Sequence, residues 1–193
     1  VDIVNTDKTG TLTKNEMTVT KILTHDHDYD VTGVGYDNNG GVNFDGNLKF
    51  KGKNFDWKQD DHLAWLINVA GQTTDAELHF ENGKWELNGE PTDGALTTLY
   101  RKMTGHDPEV QEVDSLPFDS AFRFSARLAD LDGQRVLMVK GSPATVLRLT
   151  DQAADEKQWD TRLDDLTADG LRVVALAYQA VPDTLARNRV VWG

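Results

Sequence analysis

The sequence contains no cysteine. Disulfide scaffolds, thiolate zinc sites and cysteine nucleophiles are therefore excluded, and nothing in it reads out a redox compartment. Positive charge is scarce: 20 basic side chains stand against 32 acidic ones, for a formal net charge of -12. A general nucleic-acid binder needs a basic face to neutralise phosphates, and an anionic membrane surface asks for the same. Both partners are set aside. No apolar run approaches the roughly 18 residues of a spanning helix, so this stretch is not expected to cross a membrane. What is present, 38% apolar and 27% charged residues over 193 positions, is ordinary for a soluble globular protein. The length suits one domain, or one domain and a fragment of another.

No Met opens the chain, which reads as cut from something longer, with Val1–Val4 as an orphan strand. Two β-rich stretches, Met17–Thr24 and Tyr29–Tyr36, flank His25-Asp26-His27-Asp28 as a hairpin. Residues 37–54 are rich in Asn, Gly, Asp and Lys and read as a loop. From Trp57 to Gln72, Leu63, Leu66, Ile67 and Ala70 recur at helical spacing. Asn82-Gly83 predicts a tight hairpin turn, as does Asp132-Gly133 between strands at 122–131 and 135–140. A second helix is expected over Pro91–Met103, with its Pro in the first turn and Gly105 just past the end. A short strand is expected at 110–113, and helices at 143–149 and 155–168. Leu171–Tyr178 is nearly all apolar, which suits a strand buried on both faces. Hairpins flanked by helices make the expected class α+β, with an antiparallel sheet.

Chemistry concentrates in Asp7-Lys8-Thr9-Gly10-Thr11-Leu12-Thr13. A carboxylate at a strand end can attack phosphorus and form an aspartyl-phosphate. Lys8 could offset charge there, and Gly10 lets the backbone approach a phosphate closely. A polar turn after a strand is the plain alternative. Elsewhere, Phe118 can stack on a base or pack in a core, and Lys140-Gly141 can meet a ligand or simply end a strand. Arg123 and Arg172 have the fork geometry that suits phosphate oxygens, or are solvated surface charges. His25-Asp26-His27-Asp28 reads as a solvated turn rather than a metal site. Asp37–Gly41 fails the calcium-loop pattern, because Leu48 stands where a Glu is required. The acidic run Asp160, Asp164, Asp165 and Asp169 reads as an exposed helix face.

Seven residues in the order D-K-T-G-T-L-T resemble the phosphorylation signature of the P-type ATPases, ion pumps that pass through an aspartyl-phosphate, and Asn15, Met17 and Val19 continue the likeness. Four further segments resemble the family in its own order: Gly89–Leu96, Leu116–Ser120 with Arg123 and Ser125, Val139–Pro143, and Gly170–Ala177. Their style is that of type II cation pumps.

The resemblance implies a nucleotide-binding domain over 17–193, built on a twisted antiparallel sheet, and a stub of the phosphorylation domain over 1–16. It makes Asp7 the phosphoryl acceptor, with Lys8 and Thr9 beside it. Asp7 and Thr9 would contact Mg²⁺ only with the family's later T-G-D and G-D-G-x-N-D segments, which this sequence lacks. It implies ATP as ligand, held by Asp93, Phe118, Arg123, Ser125, Lys140, Gly141 and Arg172. The other partners would be the phosphorylation, actuator and transmembrane domains of one chain, this part being a cytoplasmic domain of an integral membrane protein. Asp93 stands where the family usually has Glu, Ala144 replaces the Glu of K-G-A-P-E, and Ser125 is shorter than is common. Two rival readings are a haloacid-dehalogenase-like phosphohydrolase fragment and a non-catalytic binding module. The first expects D-x-D, where Thr9 occupies the second carboxylate position and cannot act as an acid at neutral pH.

Overall fold

The computed structural model describes residues 2–8, 17–33, 44, 46–150, 156–168 and 172–182. Eleven strands and four α-helices are found among them: β1 Asp2–Lys8, β2 Met17–Leu23, β3 Asp28–Val31, β4 Leu48–Phe50, β5 Lys53–Asn54, α1 Asp61–Gln72, β6 Glu77–Glu81, β7 Lys84–Asn88, α2 Pro91–Thr104, β8 Gln111–Asp119, β9 Phe124–Leu131, β10 Gln134–Gly141, α3 Pro143–Arg148, α4 Glu156–Ala168 and β11 Arg172–Ala180. Nine strands form one sheet in the order β5-β4-β3-β2-β1-β11-β10-β9-β8, and β6-β7 form a separate hairpin. Every pairing is antiparallel. The class is α+β, as the patterning implied.

Strand alternation divides the burial. Side chains two residues apart share a sheet face, and Val136 and Met138 of β10, with Val174 and Leu176 of β11, pack under α1 and α2. The intervening Ala175 and Ala177 face α3 and α4, where Val146, Leu147 and Trp159 cover them. That two-sided cover is why β11 is apolar almost throughout. Leu63, Leu66, Ile67 and Ala70 of α1 are all fully buried against the first face. Asp160, Asp164 and Asp165 are exposed on α4, and Asp169 lies outside the described residues.

Local chemistry sets the boundaries. The Asp60 side chain caps α1 by accepting from the amides of His62 (3.0 Å) and Leu63 (3.3 Å). Gly105 ends α2 in the left-handed conformation (φ 78°), and its amide donates to Arg101 O. Asn82-Gly83 and Asp132-Gly133 both take positive φ at both positions, as two-residue hairpin turns require.

Three expectations are corrected. The first strand is not an orphan: β1 lies between β11 and β2, with Ile3 opposite both Ala175 and Leu23. Within the stretch 37–54 read as a loop, residues 37–43 and 45 lie outside the described set, but β4 and β5 form a hairpin through Lys51-Gly52, both at positive φ. Leu48 is buried there, and Phe50 and Phe55 each lie 5.4 Å from the Tyr29 ring, so aromatic packing holds a segment whose composition reads as loop. The short strand at 110–113 extends instead as β8 to Asp119, on the sheet edge where Pro117 is tolerated.

Asp60 also accepts from the Tyr29 hydroxyl. Burial pushes its pKa up, but hydrogen bonds from Tyr29 and from the Leu63 and His62 amides outweigh that and hold it below the ordinary carboxylate value. Asp60→Ala should lower unfolding free energy by about 2 kcal/mol in urea titrations, from the lost cap and the stranded Tyr29 hydroxyl. A depressed folded pKa means the contribution is complete above pH ~5 and fades as pH falls through the folded value. The gap between wild type and variant should therefore narrow only below about pH 4.

Candidate functional site

At one end of the sheet the face under α1 and α2 runs out of core. Continuing the alternation, Ser125 follows Arg127 and Ala129 along β9, Lys140 follows Met138 and Val136 on β10, and Arg172 precedes Val174 on β11. Ser125 and Lys140 are register partners. The hydrophobic stripe thus gives way to polar side chains on three adjacent strands at the same end. There a cleft of about 650 Å³ opens, and its lining includes all seven residues the sequence put forward for nucleotide: Asp93, Phe118, Arg123, Ser125, Lys140, Gly141 and Arg172.

Each side chain arrives by an identifiable route. Asp93 sits in the first turn of α2, behind Pro91. Lys140 donates to its carboxylate and, at 2.9 Å, to Thr73 O. Both side chains of this ion pair are largely buried, 13% and 16% exposed. Phe118 follows Pro117 where the β8–β9 register slips between Leu116 and Asp119. The irregularity takes it out of the regular ladder, and it is 63% exposed. Arg123 closes the β8–β9 turn at φ 63°. Asp119 holds that turn, its backbone oxygen accepting from the Arg123 amide (2.7 Å) and its Oδ1 from the Ala121 amide (2.7 Å).

Gly141 serves packing first. A Cβ there would stand 2.4 Å from Arg123 O and 2.9 Å from Phe124 Cα, so only glycine lets the end of β10 cross the start of β9.

Asp7 and Lys8 close β1, where the register sets Thr6 opposite Arg172. The backbone of Asp7 therefore reaches the cleft end of the sheet. Thr9, with residues 10–16, lies outside the described set. Asp75, Glu90, Thr92 and Ser142 also line the cleft and were not singled out from sequence. Of these, Glu90 and Thr92 lie inside the segment Gly89–Leu96 and Ser142 inside Val139–Pro143, signals that were available. Asp75 carried none.

A second cleft of about 640 Å³ lies beyond Asp75, lined by Glu77, His79, Asp107, Glu112 and Arg127 among others. Its carboxylates would repel phosphate. The first cleft sets an exposed aromatic ring beside three cations that balance its three carboxylates, Asp75, Glu90 and Asp93, whereas the second sets four carboxylates against Arg127 alone. The chemistry of the first cleft therefore fits the expected ligand. No group of three His, Asp or Glu side chains able to hold a metal occurs among the described residues. His25, Asp26, His27 and Asp28 are exposed, and Asp28 pairs with Arg162, in keeping with a solvated turn.

The family model described as the P-type ATPase cytoplasmic domain N matches residues 63–190. The chain belongs to this family. Among its relatives, the cation-transporting ATPase pma1 of Synechocystis is 30% identical, over 93% of this chain and 21% of its own length. A calcium-transporting ATPase of Bacillus subtilis is 26% identical over the same shares. The human calcium-transporting ATPase type 2C member 1 is 32% identical over 91% of this chain and 20% of its own length. The chain thus spans about a fifth of the length of these relatives. Their family is one of membrane proteins, and this domain is a cytoplasmic one; no helix among the described residues is long and apolar enough to cross a membrane.

The packing role of Gly141 is testable. Gly141→Ala should destabilise this N domain by about 1–3 kcal/mol, because the atoms in the way are backbone. Amide NMR shifts should move most at Arg123 and Phe124. A variant as stable as wild type would return Gly141 to a purely ligand-facing role.

Proposed function

We propose that this chain is the ATP-binding domain of a P-type cation-transporting ATPase, with the phosphorylation signature attached at residues 1–16. The observation that carries the reading is the meeting of Phe118, Asp93, Lys140, Arg123 and Arg172 in one cleft, although they come from four separate segments of the chain. In this reading the adenine ring stacks on Phe118, a contact of roughly 1–3 kcal/mol. Asp93 faces the base amino group, directly or through water, at the floor where Lys140 already pairs with it. Arg123 and Arg172 take the phosphates, with Ser125 and Gly141 forming wall rather than principal contacts. An adenine stack and a few phosphate contacts predict weak binding, ~0.1–1 mM or about 4–5.5 kcal/mol.

In the intact pump, the Asp7 carboxylate attacks the γ-phosphorus of ATP, the bond to the β–γ bridging oxygen breaks, and ADP departs. The acyl phosphate left on Asp7 switches the pump between ion-access states and so drives a cation across the membrane. Mg²⁺, held by Asp7, Thr9 and segments this sequence lacks, would neutralise charge on the phosphoryl oxygens; the rest of the catalysis is positioning. We assign 17–193 to nucleotide binding and the signature within 1–16 to the phosphorylation domain that the remaining segments complete, with β1 as the strand that joins this signature to the nucleotide-domain sheet. The phosphohydrolase and binding-module readings leave the convergence on the cleft without a cause. The second would gain if nucleotide failed to bind or if Phe118 were fully buried, and Phe118 is 63% exposed.

An amide-shift NMR titration with ATP and then AMP, both without magnesium, tests the reading. Saturable shifts around Phe118, Lys140 and Arg172 with both nucleotides are expected, and no shift at several millimolar would refute it. Phe118→Ala should weaken ATP binding roughly 5- to 150-fold with unchanged thermal stability, because an exposed ring adds little to the core. Lacking the closing segments, this chain should acquire no acid-stable label on Asp7 from γ-labelled ATP.

A further inference from the structure

Arg127 is one of the few charged side chains buried in the described structure, 9% exposed, and it lines the carboxylate-rich cleft rather than the one assigned to nucleotide. Its directed hydrogen bonds nonetheless go to a single short segment, residues 72–75, which joins α1 to β6. Nη1 donates to Gln72 O (2.5 Å) and Thr74 O (3.3 Å), and Nη2 donates to Asp75 Oδ1 (2.5 Å). Glu112 Oε2 lies 2.9 Å from Nε, but out of hydrogen-bond alignment. That pairing is electrostatic and leaves the geometry to residues 72–75.

The same segment supplies the backbone partners of both polar groups on the nucleotide-cleft floor. Thr73 O accepts from Lys140 Nζ at 2.9 Å, and the Asp75 amide donates to Asp93 Oδ2 at 3.3 Å. A planar guanidinium with donors in a fixed fork can hold three acceptors of one turn at once, whereas an ammonium cannot reproduce that fork. We propose that Arg127 is a positioning residue for nucleotide binding: by clamping residues 72–75 from behind, it fixes the carbonyl and amide that aim Lys140 and Asp93 into the cleft. The inference rests on the nucleotide reading of that cleft. It adds a determinant that touches no part of the ligand and lies outside the recognised motifs.

The test uses the whole chain and compares wild type with Arg127→Lys and Glu112→Gln, measuring affinity for ATP and for inosine triphosphate, whose 6-oxo group has no proton to give Asp93. Arg127→Lys should weaken ATP binding about 5- to 20-fold and bring the preference for ATP over inosine triphosphate towards unity. Glu112→Gln, which removes a charge from Arg127 without touching residues 72–75, should leave both within twofold. ATP affinity within twofold of wild type in Arg127→Lys would overturn the proposal, as would equal losses in the two variants, since these would mark a stability effect. Should Arg127→Lys fail to fold, wild type suffices. The Arg127 Nε–Hε signal should shift on ATP addition with the same saturation curve as the Lys140 amide, and a signal that stays still counts against the clamp. Wild type that binds no nucleotide overturns the cleft assignment itself, a result distinct from binding that is indifferent to Arg127.

Discussion

The ion pair between Lys140 and Asp93 is the constraint on which the cleft depends. It ties the end of β10 to the first turn of α2, two elements 47 residues apart, and draws in Thr73 O as a third partner. Pairs with this little exposure regain the cost of leaving water only when each charge finds further partners. Here the lysine has the Thr73 carbonyl, and the carboxylate has the Asp75 amide and the favourable end of the α2 dipole. An apolar pair of similar volume could close the same gap. It would, however, offer an incoming ligand neither a donor nor an acceptor at that point.

The sheet makes that pair possible by letting core and site share one face. Along β10 the same alternation that buries Val136 and Met138 under α1 and α2 presents Lys140 one step further on. Along β11 it carries Leu176 and Val174 into Arg172. A one-residue slip in either strand would send these cations to the opposite face, beneath α3 and α4. Site register is therefore enforced by hydrophobic burial several residues away, on both faces of β11 at once. Position 141 adds the last restraint, since any side chain there would drive the β8–β9 turn, and with it Arg123, out of place.

Legibility in the sequence followed the range of the forces at work. Local ones were readable: the spacing of Leu63, Leu66, Ile67 and Ala70, the cap at Gly105, and the turn residues Asn82-Gly83 and Asp132-Gly133 all act within a few positions. The seven residues named for nucleotide sit in short motifs, and one cleft collects them all. What escaped was set at long range. The central place of β1 comes from pairing with β11 some 170 residues later, and the β4–β5 hairpin is held by Phe50 and Phe55 against Tyr29 rather than by its own composition. Arg127 stands outside every segment that resembles the family; only the fold brings the end of α1 over it.

The short Asp93 side chain has an energetic consequence in the proposed nucleotide reading. Because its carboxylate stays back against Lys140 and the Asp75 amide, it enters the bound state already partnered. A hydrogen bond to the base amino group then replaces interactions rather than adding one, and the net contribution of such an exchange is about 1 kcal/mol or less. Affinity must come mainly from the exposed face of Phe118 and from the cations Lys140, Arg123 and Arg172, of which Arg123 sits at the solvent-exposed rim where salt screens its attraction. The carboxylate at the floor therefore contributes selectivity more than strength: a base that brings no donor leaves Asp93 facing a like dipole. A domain built this way chooses its base and still releases it readily, which suits a carrier that must hand its nucleotide on.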